Sequence, residues 1–451
     1  MNVASLKVVG PINGDDVRCL RQMLGASEFG ESERGKLTTL DLSEASIVKG
    51  GDYYYSSDGT YVKKYYTSNN VLGYRIFYMC NNLLTIILPD NITLIDGSAF
   101  SSCSSLISIN IPDCVTTIGE FAFSSCSSLT CIDIPNSVTS ISENVFRNCL
   151  SLTSVKISKN ITSIGGFAFF GCSSLINIDI PDSVISIGEY AFADCSFLTS
   201  VILQDGVTSI GKYAFADCSS LTSVKIPDSV TSIGYCAFSG CASLTSIDLP
   251  DNITSIGNST FYHCYSLTSI DIPASVTSIG SLAFSSCPLT SVYITDISAW
   301  CKITFDGSSS NPLGDGAKLY LNNAELTELI IPEDIKKIND YAFYNCKSLT
   351  KVTVGDEVMT IGIAAFRGCS ALTMVNIPAN VTFIGKEAFH SCKSLVQVYS
   401  YAVTPPIINT TDSYSSFDAT GSKTLHVLTD CSPKYNASNW KNYFTSIVEM
   451  D

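Results

Sequence analysis

The sequence predicts a mainly β solenoid, about fourteen stacked coils of 23 residues with a concave parallel sheet and a cap at each end. Three observations carry that expectation. A phenylalanine recurs at 77, 100, 123, 146, 169, 192, 215, 238, 261 and 284, a constant step of 23, and resumes at 343, 366 and 389. Each one is followed by the same spaced apolar columns. Helical periodicity is missing from the repeat, and segments such as Leu221 to Ile226 alternate inward and outward with β-branched residues instead.

Residues 1–35 read as an N-terminal cap, with a strand over Leu6 to Val9 and a helix from about Asp15 to Met23 that Asn13 or Asp15 would cap. The solenoid spans 36–400. Its first strand lies in Lys36 to Leu42, and an insertion over 43–70, rich in Gly and carrying six tyrosines, reads as a surface loop or hairpin. Counting from the phenylalanine, Cys falls at plus 3, Leu at plus 6, Ile, Val or Leu at plus 9 and plus 11, often Pro at plus 12, Val or Ile at plus 15, Ile at plus 18 and usually Gly at plus 19. Pro and Asp at plus 12 and 13 are turn chemistry that ends one strand, and a second short strand follows. A single coil cannot bury enough apolar surface to offset the entropy of ordering it, so neighbours must stack on both sides.

Between Phe284 and Phe343 the gap is 59 residues, and the irregular coils over 290–325 hold Trp300, Cys301 and Phe305. Two coils are rebuilt there rather than lost. Residues 401–451 read as a C-terminal cap, with a strand over Thr424 to Leu428 and a short helix near Trp440.

The blocks Leu-x-x-Ile-x-Ile-Pro, Val-Thr-Ser-Ile-Gly and Ala-Phe-x-x-Cys resemble the BspA-like leucine-rich repeat family of bacterial surface proteins. The likeness runs from Val71 to Tyr399. Ser158, Gln204 and Gly355 replace the proline, and Asp96 and Ser142 replace the glycine. The resemblance implies a non-enzymatic cell-surface or secreted binding protein, with adhesion to host or microbial proteins or glycans as its role. A structural spacer of the cell envelope is the alternative.

With 41 acidic against 26 basic residues and a net charge of −15, the chain would repel phosphate backbones and anionic headgroups, which excludes nucleic acid as an expected partner. No run of about 20 apolar residues could span a bilayer. Met1 to Gly10 lacks the basic start and apolar run of a secretory signal, so either the protein is cytosolic or, in the extracellular or cell-surface setting expected from the resemblance, a leader is missing from this version of the chain.

Nineteen cysteines invite a disulfide scaffold or metal clusters, but thirteen occupy the plus 3 column. Stacked side chains point the same way, so neighbouring thiols lie side by side instead of meeting end to end. They are expected as buried thiols, each a weak donor to a turn carbonyl. No metal or cofactor is expected. The acidic column at plus 13 (Asp90, Asp113, Asp182, Asp205, Asp228, Asp251, Glu333, Asp356) is explained by turn hydrogen bonding more simply than by a cation edge. The aromatic column at minus 2 (Phe121, Phe167, Tyr190, Tyr213, Tyr341) reads as edge packing. His263 and His390 read as exposed turn residues, and the Trp300 region brings Lys302, Asp306 and Asp315 but no histidine, which disfavours an enzyme.

Strand alternation turns plus 8 and plus 10 outward onto the concave face. Plus 8 is mostly Ser, whereas plus 10 becomes large and aromatic toward the C-terminal third. The candidate ligand-binding residues are therefore Tyr293, Ile330, Tyr399 and Trp300, with a plug of the rebuilt coil as the alternative role of Trp300.

Overall fold

The computed structural model describes residues 3–57, 62–410, 415–419 and 421–450. It is a mainly β, parallel-sheet solenoid of about 16 turns with little helix. Two compact units, Met1–Leu244 and Thr245–Asp451, divide the chain.

In the first unit each coil gives a short strand to one parallel sheet and a two-residue strand to another. Ser200–Ile202 pairs with Ser223–Lys225 in strict 23-residue register, and Ser209–Ile210 pairs with Ser232–Ile233 on the second sheet. In the first of these strands the middle residue is buried and its neighbours face out, as alternation requires. The N-terminal segment joins this architecture directly. Ser5–Ile12 pairs in parallel with Thr39–Ile47, and the helix Gly14–Met23 starts at Asn13, whose side chain accepts from the Asp15 amide while Asp16 reaches back to the Asn13 amide. Of the two expected caps, Asn13 is the one used.

Inside the coils, the phenylalanine column is fully buried and its rings stack, from Phe77 on Phe100 at 5.5 Å to Phe215 on Phe238 at 5.5 Å. Leu, Ile and Val of plus 6, 9, 15 and 18 fill the rest of the core. The plus 3 thiols are free and buried, and most donate to the phenylalanine carbonyl of the preceding coil, as Cys103 does to Phe77 O at 3.0 Å and Cys218 to Phe192 O at 3.1 Å. Burial raises their pKa values, to about 11 at Cys80 and about 12 at Cys126 and Cys172.

A feature absent from the repeat arithmetic is a double left-handed bend. Residues at minus 2 and plus 2 have positive φ in coil after coil, as Tyr190 (φ 54) and Asp194 (φ 60) show. With the chain kinked this way, alternate amides point at the next coil: Tyr190 N donates to Lys212 O at 2.9 Å, Phe192 N to Ala214 O at 2.8 Å and Asp194 N to Ala216 O at 2.8 Å. Three inter-coil hydrogen bonds per bend offset the cost of holding bulky residues in that region, about 1–3 kcal/mol each. The bend also aligns the minus 2 rings into an external stack, Phe167 on Tyr190 at 4.7 Å and Tyr190 on Tyr213 at 4.4 Å. The glycine at plus 19 has a separate cause. A Cβ on Gly188 would lie 2.6 Å from the backbone carbon of Gly165 in the coil before it, too close for any side chain.

The insertion forms a hairpin, Tyr55–Ser56 against Lys64–Tyr65, with residues 58–61, Tyr61 among them, outside the described residues. It is not confined to the surface. Tyr54 and Tyr55 are buried, Tyr54 donates to Tyr74 O at 2.9 Å, and the guanidinium of the fully buried Arg21 lies over the Tyr55 ring.

In the second unit the irregular stretch rebuilds the coil with other elements. Ser291–Ile294 pairs with Ser269–Asp271 on one side and Lys318–Leu321 on the other, Thr304–Phe305 pairs with Ser278–Ile279, and the helix Ile297–Lys302 lies between these strands in sequence, capped by Asp296. The C-terminal segment extends the ladder with Thr424–Val427 and an unforeseen strand, Ser446–Glu449. There Phe417 stacks on Phe389 at 5.2 Å and Trp440 packs on Phe417 at 5.5 Å, closing the core.

Candidate binding surface

The outward face of the first sheet differs between the two units. In the first, strand residues facing out are mostly small or charged: Ser154, Ser200 and Ser223 at plus 8, and Asp133, Lys156, Asp179 and Lys225 at plus 10, with Ile87 and Ile202, 49% and 54% exposed, the large apolar members. Side chains of this kind are well solvated and give little apolar surface to a partner.

In the second unit the same positions carry rings. Tyr293 faces out from Ser291–Ile294 and stacks on Tyr320 of the next strand at 4.9 Å. Tyr399 faces out from Gln397–Ser400 and stacks on His426 at 4.3 Å, with the rings only 10° from parallel. The His426 ring also meets Gln397 Oε1 at 2.5 Å, and burial holds its basicity below the ordinary histidine value. Ile330 stands alone at 71% exposure. Tyr293 belongs to the strand run that ends at Ala324–Glu325, whereas Ile330 and Tyr399 share the run from Glu328–Ile330 to Ser446–Glu449, two strands apart from being neighbours. The candidates thus form two ring pairs and one isolated aliphatic group.

Tyr320 and His426, the partners of both tyrosines, lie where the 23-residue step fails, in the rebuilt coil and in the cap. Only the apolar alternation of their own short strands could have placed them.

Trp300 needs correction. It is 1% exposed, packs against Phe305 at 5.6 Å, and donates its indole N–H to Ala342 O at 2.8 Å. It is a core residue and offers no surface to a ligand. His263 and His390 are also less exposed than expected: His263 stacks with Tyr262 and Tyr265, and His390 Nδ1 sits 2.9 Å from Asp418.

Among the described residues no group of three or more His, Cys, Asp or Glu side chains is placed to hold a metal ion, and no helix is long and apolar enough to cross a membrane.

Comparison with known proteins agrees with this architecture. The model of the BspA type leucine rich repeat region matches residues 70–199, 185–311 and 316–428. A solved leucine-rich repeat protein from Bacteroides ovatus ATCC 8483 is 26% identical, with a TM-score of 0.52 over 82% of this chain and 92% of that one. A leucine rich cell surface protein from Faecalibacterium prausnitzii A2-165 is 27% identical, with a TM-score of 0.34 over 76% of this chain and 85% of that one. No curated protein matches the chain in sequence. Since the matched blocks take in nearly all of the coils whose phenylalanine, cysteine and leucine columns build the core, the chain belongs to the BspA type leucine-rich repeat family.

Proposed function

We propose that this protein is a non-enzymatic, cell-surface or secreted binding protein that engages a protein or glycan partner through the outward sheet face of its second unit. The observation that supports this most is the pair of stacked rings, Tyr293 with Tyr320 and Tyr399 with His426, at strand positions that in the first unit are mostly small or charged. Tyrosine contributes large contact area at low conformational cost and dominates many interfaces. A stacked pair is also held in place before binding, which lowers the entropy of association. A leucine-rich repeat framework suits such a role, since each coil can vary its outward residues while the inward columns stay fixed.

The second reading, a structural spacer of the envelope, is favoured by the small, mostly serine plus 8 column of the first unit. Screening the whole chain against immobilised extracellular proteins and glycans separates the two. A saturable partner whose binding falls at least tenfold in Tyr293→Ala/Tyr399→Ala supports the binding role. Binding untouched by that double substitution overturns the placement, and the absence of any partner favours the spacer.

A further inference from the structure

The coil of Phe284 is followed by something other than a regular coil, and its bend shows the consequence. In the coil before it, Ser259, Phe261 and His263 donate their amides to Ser281, Ala283 and Ser285 of the next coil at 2.9, 2.9 and 3.1 Å. At the last regular coil, the cap supplies the acceptors: Glu387 N donates to Ser415 O, Phe389 N to Ser416 O and Ser391 N to the Asp418 carboxylate at 2.9 Å. The equivalent amides of Leu282, Phe284 and Ser286 meet no acceptor among the described residues. Where the next bend would stand there is instead a cavity of about 230 Å3, with Ser285 and Cys287 on one wall and Ser308, Asn311, Asp315 and Tyr344 on the other.

From the other side, the rebuilt coil has been made good only in part. A preceding bend would have bonded Asp340 O, Ala342 O and Tyr344 O; of these, Ala342 O accepts from Trp300 Nε1 instead, and Asn311 Nδ2 donates to the neighbouring Tyr341 O. Asp340 O and Tyr344 O accept from nothing among the described residues, and the amides of Leu282, Phe284 and Ser286 lack the bonds a regular bend gives them, Phe284 being the one of the three that lines the cavity.

We propose that this cavity is a binding site for one neutral hexose-sized sugar ring. Its volume lies below the roughly 300–1,000 Å3 of sites that take drug-sized molecules, so a single ring fits and a longer glycan would enter by its terminal unit only. The wall offers a donor in the Phe284 amide, an acceptor in the Asp315 carboxylate, and hydroxyls at Ser285, Ser308 and Tyr344 that serve as either. A hydroxyl answers both kinds through a single atom, accepting from an amide and donating to a carboxylate. An anion would satisfy the amide and be repelled by Asp315; a cation would do the reverse. The Tyr344 ring supplies an apolar face for the C–H side of the sugar. The site lies beside the phenylalanine column and shares no residue with the ring pairs of the sheet face, so it stands or falls independently of them.

The test uses the whole chain and saturation-transfer NMR with glucose, galactose and mannose, with glucuronate and inorganic phosphate as anionic controls. At least one neutral sugar should give a saturable signal. Asp315→Ala should weaken it about tenfold or more, the loss expected for one hydrogen bond to a charged group. Ser308→Trp, which fills the cavity from an exposed position, should abolish it, and both variants should melt as the wild type does. Absence of saturable binding by all three sugars, tighter binding of glucuronate or phosphate, or binding that survives both substitutions would each overturn the proposal.

Discussion

The indole Nε1 of Trp300 donates to the backbone oxygen of Ala342 at 2.8 Å, taking the place of an amide. In regular coils that acceptor belongs to the preceding phenylalanine: Phe343 N reaches Ala365 O at 2.7 Å and Phe366 N reaches Ala388 O at 2.8 Å. One side chain thus carries both the packing and the hydrogen bond of a missing backbone turn.

Trp300→Phe should keep most of the packing and leave the buried Ala342 carbonyl with only the longer 3.3 Å contact to Asn311. A loss of about 1–3 kcal/mol is expected, the cost of an under-satisfied buried acceptor, and Trp300→Ala should lose about 3–5 kcal/mol. Denaturant unfolding of the two variants measures both. Equal losses would mean that the hydrogen bond contributes nothing beyond the packing.

The coil itself was legible because one residue type recurs in each inward column, so Phe215, Cys218, Leu221 and Val224 announce their burial by spacing alone. The left-handed bend was not. At plus 2, residues such as Asn148, Gly171 and Asp194 are the types that tolerate positive φ, but at minus 2 Phe167, Tyr190 and Tyr213 are not, and only the inter-coil amide bonds explain them. Of the candidate site, the outward tyrosines followed from alternation. Their ring partners did not, because Tyr320 follows the Ile297–Lys302 helix and His426 lies in the C-terminal segment, and at both places the strand step is 27 and not 23 residues. Trp300 was misplaced for the same reason: a lone aromatic in a stretch without period gives no sign of which way it points.

Three cysteines, Cys19, Cys114 and Cys131, are exposed and the other sixteen of the nineteen are buried and unbridged. Native labelling with a thiol reagent should therefore be fast at about three groups and complete only after denaturation. Intact mass should show no repeat-to-repeat disulfide.

The same thiols set an alkaline limit. Their folded-state values are raised by burial above the ordinary 9.0, to about 11 at Cys80 and about 12 at Cys301 and Cys346. An unfolded chain would release those protons first, so the stability they confer is whole below about pH 9 and is lost as pH rises toward 11 and 12. Melting temperature should fall steeply across that window. Cys126→Ala and Cys172→Ala together should flatten the fall while lowering stability at neutral pH through the cavities they leave.

Removal of residues 401–451 would expose the Phe389 face now covered by Phe417 and the unpaired edge of Gln397–Ser400 now bonded to Thr424–Val427. Such a truncated chain should aggregate. Phe417→Ala is the milder test and should cost about 3–5 kcal/mol. A soluble, cooperatively melting 1–400 fragment would show that the C-terminal segment does not close the core.

The Tyr399 and His426 pair should make the sheet face sensitive to acid. Burial depresses the histidine below its ordinary 6.5, so the neutral ring persists at pH 7 and any stability tied to it is lost as pH falls below that value through the folded one. Protonation places a charge between the Tyr399 ring and Gln397, and the short contact to Gln397 Oε1 survives only with the histidine nitrogen as donor. His426→Phe keeps the stack and removes the titration. A partner bound at this face should therefore bind the wild type differently at pH 5 and pH 7.5, while the phenylalanine variant binds alike at both, and Tyr293→Ala should weaken binding equally at the two pH values. Titration of the His426 ring followed by NMR checks the premise: an ordinary or raised value would remove the acid sensitivity, and a lowered value with unchanged binding would place the partner elsewhere.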